Sequence, residues 1–308
     1  MPDVRILDEE QVARLLPMDE CIAAMAAVLT ALARGELFNP LRRAVRPPGA
    51  DNLLGLMAAH GDSYALKAVV VTPANSGRGL DPHQGTVTLF DGVTGVPRAI
   101  LNASAITAIR TAAVSALASR TLMRPDARTL AILGTGHQAG PHLEAHRAVH
   151  DWERIVRWSR SYVDEAATAE EAVRDADVVV TVTSAREPIV SRAWLKPGTH
   201  LTAAGSSIPT ARELDSQTMA DASLFVDLRE STVNEAGDYL FPMREGLIGP
   251  EHIKAELGEV LTGAHPGRTS DGELTVFKSL GLAVEDLAAA EHVLRRAEAE
   301  GVGAVVSL

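Results

Sequence analysis

The chain has 308 residues, 46% of them hydrophobic, and a formal net charge of −11. That length and apolar content suffice for a sizeable core and point to two domains. The acidic balance works against a nucleic-acid partner, which is gripped through clustered positive charge, and a lone cysteine, Cys21, leaves no internal disulfide framework and fits a reducing compartment.

The N-terminal stretch MPDVRILDEEQVARLL mixes charges with apolar residues at helical spacing, which is neither a signal peptide nor a membrane span. A cytoplasmic globular protein, with no membrane and no nucleic-acid partner, is expected. The pattern predicts a helix over Asp8 to Arg34, then strands at Leu53 to Ala58, Tyr64 to Thr72, Gly85 to Phe90 and Pro97 to Asn102. A helix over Ser104 to Met123 follows, and RPDAR forms a polar, proline-containing linker. Strands are expected next at Thr129 to Leu133, Arg154 to Trp158, Ala176 to Thr183, His200 to Gly205 and Ser223 to Leu228, with a closing helix from Leu274 onward. Alternation of strand and helix implies a Rossmann-type, doubly wound parallel sheet covered on both faces. The expected α/β architecture pairs a mixed α/β substrate-binding and dimerisation domain (1–123 and 285–308) with a Rossmann dinucleotide-binding domain (124–284).

The segment LAILGTGHQAG, residues 130–140, fits G-x-G-x-x-G/A, with Gly134, Gly136 and Ala139 at the three small positions. A β-branched and apolar run precedes it and a helix-compatible segment, His137 to Val149, follows, which is the context a dinucleotide site needs. One glycine permits the tight turn, a second lets backbone approach a pyrophosphate, and a small third residue lets helix and strand pack closely. Gly134, Thr135, Gly136, His137, Gln138 and Ala139 are therefore candidate cofactor contacts. The alternative is a plain strand-turn-helix that needed glycines to turn. The next strand ends in Ser159, Arg160 and Ser161, with no acid to hold ribose hydroxyls. A guanidinium between two hydroxyls suits a 2′-phosphate, so NADP(H) is favoured over NAD(H), which stays possible. The competing reading is a solvated turn arginine near Asp164 and Glu165. The chain beyond Arg160 is roughly a dozen residues too short for a usual βαβ element of about 30. Either the adenosine wall is reduced, or the cofactor is lost and the protein is a binding module.

In order, HQGTVTLFDGVTGVPRAILNASAITAIRTAAVSALASR, LAILGTGHQA, AAGSSIPTARELD and VFKSLGLAVED resemble the ornithine cyclodeaminase and mu-crystallin family over nearly the whole chain. The resemblance implies a homodimer joined through the first domain, a nicotinamide cofactor, and a small carboxylate-bearing imino or amino acid as substrate, with no metal. Activities in the family include ornithine cyclodeamination, ketimine reduction and amino-acid dehydrogenation, and mu-crystallin binds thyroid hormone.

Arg110 stands on an apolar helical stripe with Ile106 and Val114, where a guanidinium needs an anion. That anion is either a buried Asp or Glu or, as the resemblance implies, a substrate carboxylate. Lys67 interrupts the apolar strand YALKAVVV, as a solvated edge lysine or a pocket residue; the resemblance places it in the substrate site. Arg42 matches the third cation, with Arg43 beside it as a rival. Three cations around one carboxylate would be costly without the ligand, so their convergence implies an anionic substrate. Lys67 and Arg110 are the candidate catalytic residues; Arg42, Met57 and Ser207 join them at the substrate, and Thr111 joins the cofactor set. Met57, His60 and Ile208 are expected as uncharged pocket walls, and His83 as a turn residue.

Cyclodeaminases carry an aspartate where this chain has Ser207 and a glutamate where it has Gly55. Ring closure with loss of ammonia needs a group that shuttles protons, worth roughly 10²–10⁴ in rate. The departures favour net hydride transfer: an NADPH-dependent reductase or dehydrogenase of a small, cyclic α-imino or amino acid. The alternatives are a cyclodeaminase, with Asp227 or Glu235 as substitute shuttle, and a non-catalytic ligand-binding protein.

Overall fold

The computed structural model describes residues 2–49, 52–163 and 166–307; Asp164 and Glu165, the acids that follow Arg160, lie outside the described residues. The chain divides into two compact units, residues 1–113 with 282–308, and residues 114–281.

In chain order the first unit holds β1 (Asp3–Leu7), α1 (Glu9–Leu15), α2 (Met18–Ala33), β2 (Arg43–Val45), β3 (Leu53–His60), β4 (Ser63–Val71), β5 (His83–Asp91), β6 (Pro97–Asn102) and the start of α3 (Ala103–Leu122). The first helix is not continuous as the pattern predicted. The Asp8 carboxylate accepts from Gln11 N–H in a reciprocal capping box, and the axis then bends by 78° between α1 and α2. Pro17 lacks the N–H that would continue α1 and pushes Leu16 out of the helical region. Among the described residues no single helix is long and apolar enough to cross a membrane.

The second unit takes up the rest of α3 and continues through β7 (Thr129–Leu133), α4 (Ala139–Val149), β8 (Arg154–Ser159), β9 (Tyr162–Val163), α5 (Ala169–Val173), β10 (Val178–Thr181), β11 (His200–Ala203), α6 (Ser216–Asp221), β12 (Ser223–Val226), α7 (Arg229–Glu235), α8 (Gly237–Arg244), β13 (Ile253–Glu256), α9 (Leu257–Leu261) and β14 (Thr275–Lys278). The chain then returns to the first unit with α10 (Ala283–Glu300) and β15 (Ala304–Ser307).

The first unit's sheet runs β15-β1-β6-β5-β4-β3-β2, antiparallel except for the β1–β6 pair. Against it α10 packs on β3, β4 and β5, and on α1 and α2. Because side chains alternate across a strand, β4 turns Ala65, Lys67 and Val69 inward and Tyr64, Leu66 and Val70 outward.

The second unit's sheet runs β13-β12-β14-β11-β10-β7-β8-β9, and every pair is parallel except β8–β9. Every residue of β10, β11 and β14 is buried, as a sheet covered on both faces requires. Residues 274–278 do not begin the closing helix: β-branched and aromatic Thr275, Val276 and Phe277 form β14 between β11 and β12, and the helix starts only after the left-handed Gly281. The shortened stretch after Arg160 takes the form of a two-residue β9 that folds back antiparallel on β8, where a third parallel strand would stand, followed by a five-residue α5.

Candidate functional site

In the first unit, β4 presents Lys67, α3 presents Arg110, and the first turn of α10 presents Glu285 and Asp286. Asp286 Oδ1 accepts from Lys67 Nζ at 3.1 Å and from Arg110 Nε at 3.0 Å, while Arg110 Nη1 donates to Glu285 Oε2 at 2.8 Å. Relative exposures of 3%, 4%, 0% and 1% for Lys67, Arg110, Glu285 and Asp286 make this a buried cluster with two charges of each sign. For Lys67 and Arg110 the chain's own carboxylates supply the opposite charge that the sequence had left to a ligand. Of the two readings open for Arg110, the buried ion pair is present. Burial pushes the Lys67 ammonium down to about 8, a fall that Asp286 opposes and Arg110 reinforces.

Met57 sits directly opposite Lys67 in the β3–β4 ladder and is buried on the same face. Gly55 shares that face, and a Cβ there would meet Val69 at 3.4 Å, an ordinary contact. Arg42 is half-buried just ahead of β2, and the Arg43↔Leu56 register, continued by one residue, sets it opposite Met57. His60 does not line this face. It lies across from Tyr64 on the outer side, its ring centroid 4.2 Å from the tyrosine's, because three residues from Met57 is an odd step on a period of two. His83 is exposed at the start of β5, its N–H donating to Asp81.

In the second unit, Gly134 has φ +129° and lies so close to Val182 that a Cβ would meet the carbonyl oxygen at 2.6 Å. Around Gly136 there is open space. Among the described residues the backbone N–H groups of Thr135, Gly136 and Gln138 find no acceptor, and Gln138, at the start of α4, makes no side-chain cap. His137 and Ala139 complete the turn, and Ala139 N–H donates to Gly136 O at 3.0 Å. Free donors on a glycine turn at a helix start fit a dinucleotide pyrophosphate. The Thr135 and Ser159 hydroxyls lie 3.0 Å apart, and Ser159 and Ser161 3.3 Å apart, tying the exposed Arg160 turn to this cradle. Thr111 belongs to the first unit; its hydroxyl is buried with no hydrogen-bond partner among the described residues.

Ser207 and Ile208 are half-buried on the segment after β11, which is clamped by three charged residues the sequence reading had not singled out. Glu213 accepts from Thr181 Oγ1, Thr183 N–H, Thr183 Oγ1 and Gly205 N–H at 2.7–2.8 Å. Asp238 accepts from Glu213 N–H and Leu214 N–H and pairs with Lys278 at 3.0 Å; Lys278 Nζ donates to Ala203 O and Ser206 O. Asp227 is not placed to shuttle protons: it accepts from the N–H groups of Leu228, Leu280 and Gly281, and burial pushes its carboxyl up against those bonds. Glu285 and Asp286 were also missed. Acids in the first turn of a helix look like dipole complements, and nothing local marks them as buried.

The sequence description of the ornithine cyclodeaminase/mu-crystallin family matches residues 3–301. The chain belongs to that family. It is 37% identical to the Δ1-pyrroline-2-carboxylate reductase of Bacillus cereus, over 97% of this chain and 98% of that one. It is 40% identical to the ketimine reductase mu-crystallin of Mus musculus, over 84% and 85%. Among solved family structures, the Δ1-pyrroline-2-carboxylate reductase of Thermococcus litoralis in complex with NADH and L-proline superimposes with a TM-score of 0.93 at 32% identity, over 97% of this chain and 99% of that one.

Proposed function

We propose that this member of the family is an NADPH-dependent reductase of a small, cyclic α-imino acid. The carrying observation is Lys67: a buried ammonium, fixed by Asp286 beside Arg110, whose proton affinity has been lowered to about 8 and so toward the working range of a general acid. Relatives named for the reduction of pyrroline carboxylate and of ketimines support the reading. Gly55 and Ser207, at the positions where cyclodeaminases carry carboxylates, point away from ammonia release.

Gly134, Thr135, Gly136, His137, Gln138 and Ala139 would hold the pyrophosphate of NADPH, which when bound would supply the hydride for reduction of a C=N carbon. Lys67 gives the imine nitrogen its proton, so that imino acid, NADPH and one proton become amino acid and NADP⁺. Arg42 and Arg110 orient the substrate carboxylate, Met57 and Ser207 bound the apolar and polar sides of the substrate, and Thr111 offers its hydroxyl to the cofactor. Arg160, with Ser159 and Ser161, holds the 2′-phosphate. A second copy of the chain covers the outward face of the first unit's sheet, where Tyr64, Leu66 and Val70 are 47%, 37% and 39% exposed. Size-exclusion with light scattering gives a dimer, and Leu66→Asp gives monomer.

Loss of NADPH absorbance with 1-pyrroline-2-carboxylate or its six-membered homologue tests the activity. L-Ornithine with NAD added releases no ammonia and yields no proline; stoichiometric proline would overturn the reductase reading, and ligand-induced thermal stabilisation without turnover would leave a binding protein. NADPH binds more tightly than NADH, and Arg160→Ala narrows the gap by about 1.5–3 kcal/mol; equal calorimetric affinities in the wild type sink the 2′-phosphate assignment.

A further inference from the structure

A chain of hydrogen-bonded side chains, buried from Thr275 to His146, runs through the second unit from Arg268 to α4. Arg268 Nη2 lies 2.8 Å from Thr275 Oγ1, which lies 2.9 Å from His200 Nδ1. His200 Nε2 is 3.1 Å from Thr202 Oγ1, which is 3.1 Å from Ser119 Oγ, which is 3.0 Å from His146 Nε2. His146 Nδ1 then lies 2.7 Å from the His142 carbonyl. One turn earlier on α4, His142 repeats the pattern, with Nδ1 at 2.8 Å from the Gln138 carbonyl and Nε2 at 3.0 Å from Ser115 Oγ.

The ends fix every proton between them. A carbonyl only accepts and a guanidinium only donates, so His146 and His142 carry hydrogen on Nδ1, and the neutral His146 ring accepts at Nε2 from Ser119. With its own hydrogen committed to His146, Ser119 accepts from Thr202. Thr202 then accepts from His200 Nε2–H, and His200 Nδ1 accepts from Thr275, itself the acceptor of Arg268. The other tautomer of His200 would send the Thr275 hydrogen to Leu122 O at 3.4 Å and leave the 3.1 Å Ser119–Thr202 contact with no hydrogen. All six bonds therefore point from Arg268 toward α4. Burial holds His146 down to about 4 and His200 lower than its ordinary value, so both stay neutral.

We propose that this one-directional chain positions the dinucleotide cradle, with His142 and His146 as its positioning residues; the inference rests on the cofactor reading above. A helix start is ordinarily fixed by an N-cap side chain that accepts from the first N–H groups. At α4 such a cap would occupy the donors that a phosphate needs. Here Gln138 makes no cap, and the turn is gripped instead by its carbonyl, which accepts from His142 Nδ1–H as well as from His142 N–H at 3.1 Å. The grip leaves the Gly136 and Gln138 N–H groups free, and His146 repeats it one turn along on the His142 carbonyl while Ser119 of α3 holds its other ring nitrogen.

Histidine ¹⁵N spectra of the whole chain test the proton order, and fluorescence titration with NADPH tests the role. His142 and His146 appear protonated on Nδ1 and His200 on Nε2; the reverse tautomer at any of the three overturns the chain. His142→Leu weakens NADPH binding by about three- to tenfold. His142→Asn, whose amide N–H can still reach the Gln138 carbonyl, recovers most of the affinity, and KM for the imino acid stays as in wild type. If His142→Leu does not fold, Ser115→Ala shows a smaller weakening in the same direction. Wild-type affinity in whichever of these two variants folds, or equal weakening in the Leu and Asn variants, overturns the positioning role alone. Failure of the wild-type chain to bind either NADPH or NADH overturns it together with the cofactor reading.

Discussion

Lys67 in the first unit and His146 in the second are both fully buried bases whose proton affinity burial lowers, Lys67 from 10.5 to about 8 and His146 from 6.5 to about 4. They end in different states because their partners differ. Lys67 faces a carboxylate, Asp286, at 3.1 Å, which keeps its charged form accessible near neutral pH. His146 faces a hydroxyl and a carbonyl, and the pull of the His142 carbonyl toward the charged ring is smaller than the cost of burying that charge. Linkage gives each a separate window: a base with a depressed affinity loses stability on acidification between its unfolded and folded values. Lys67 bears that loss between pH 10.5 and about 8 and is charged below it; His146 bears it between pH 6.5 and about 4 and is neutral above it. One buried base is set to exchange a proton at working pH, and the other is set never to do so.

The strongest way to break the contrast is to remove the charge balance around Lys67. Arg110→Met removes the guanidinium that Glu285 and Asp286 share; it is expected to cost about 3–5 kcal/mol in denaturant unfolding and to abolish imino-acid turnover, with NADPH affinity in the folded protein nearly unchanged. A stable, active variant would show that the cluster neither balances charge nor serves catalysis. His146→Gln addresses the other side. Wild type should lose about 3 kcal/mol more stability than the variant between pH 6.5 and pH 4, and parallel stability curves would mean that His146 is not held neutral.

A third measurement sharpens the assignment of Lys67 itself. The kcat/KM for reduction should fall about tenfold per unit above a midpoint near pH 8, and Lys67→Arg should lack that limb while being slower throughout. A limb that survives the substitution belongs to another group. The smallest effect is at Asp177, a carboxylate bound mainly from outside the sheet. Burial raises its proton affinity, but Lys196 and the N–H groups of Arg128 and Thr129 outweigh that and hold it down to about 2. Its stabilisation is present above pH 3.8 and lost as pH falls toward 2. Asp177→Asn should cost about 1 kcal/mol at pH 7, with the difference from wild type vanishing across that acid window in thermal melts.

Much of the second unit was legible because its signals are local. The strand TLAIL, the glycines at 134 and 136 and the small Ala139 specify a strand-turn-helix by backbone sterics alone, and the structure shows that turn with free N–H donors. The misread stretch is equally instructive. TVFK runs straight into a helical segment, and an apolar run of four residues does not say which sheet position it fills; β14 became a central strand because β11 and β12 needed a neighbour. Pro17 was a local signal for the break between α1 and α2 that helical periodicity on both sides concealed.

By itself the sequence determined the residue types and their local geometry: Lys67 inside an apolar strand, Arg110 on an apolar helical stripe, a glycine cradle, and a hydroxyl-arginine-hydroxyl turn. Only the tertiary structure decided what those groups meet. Lys67 and Asp286 are 219 residues apart in sequence, Arg110 and Glu285 175, and His200 and Thr275 75. No periodicity or propensity reaches across such intervals, because both act within a few residues of the backbone. Once α10 returned to cover β4, a buried cation had to have a carboxylate within hydrogen-bond reach, since desolvation leaves a lone charge no cheaper alternative.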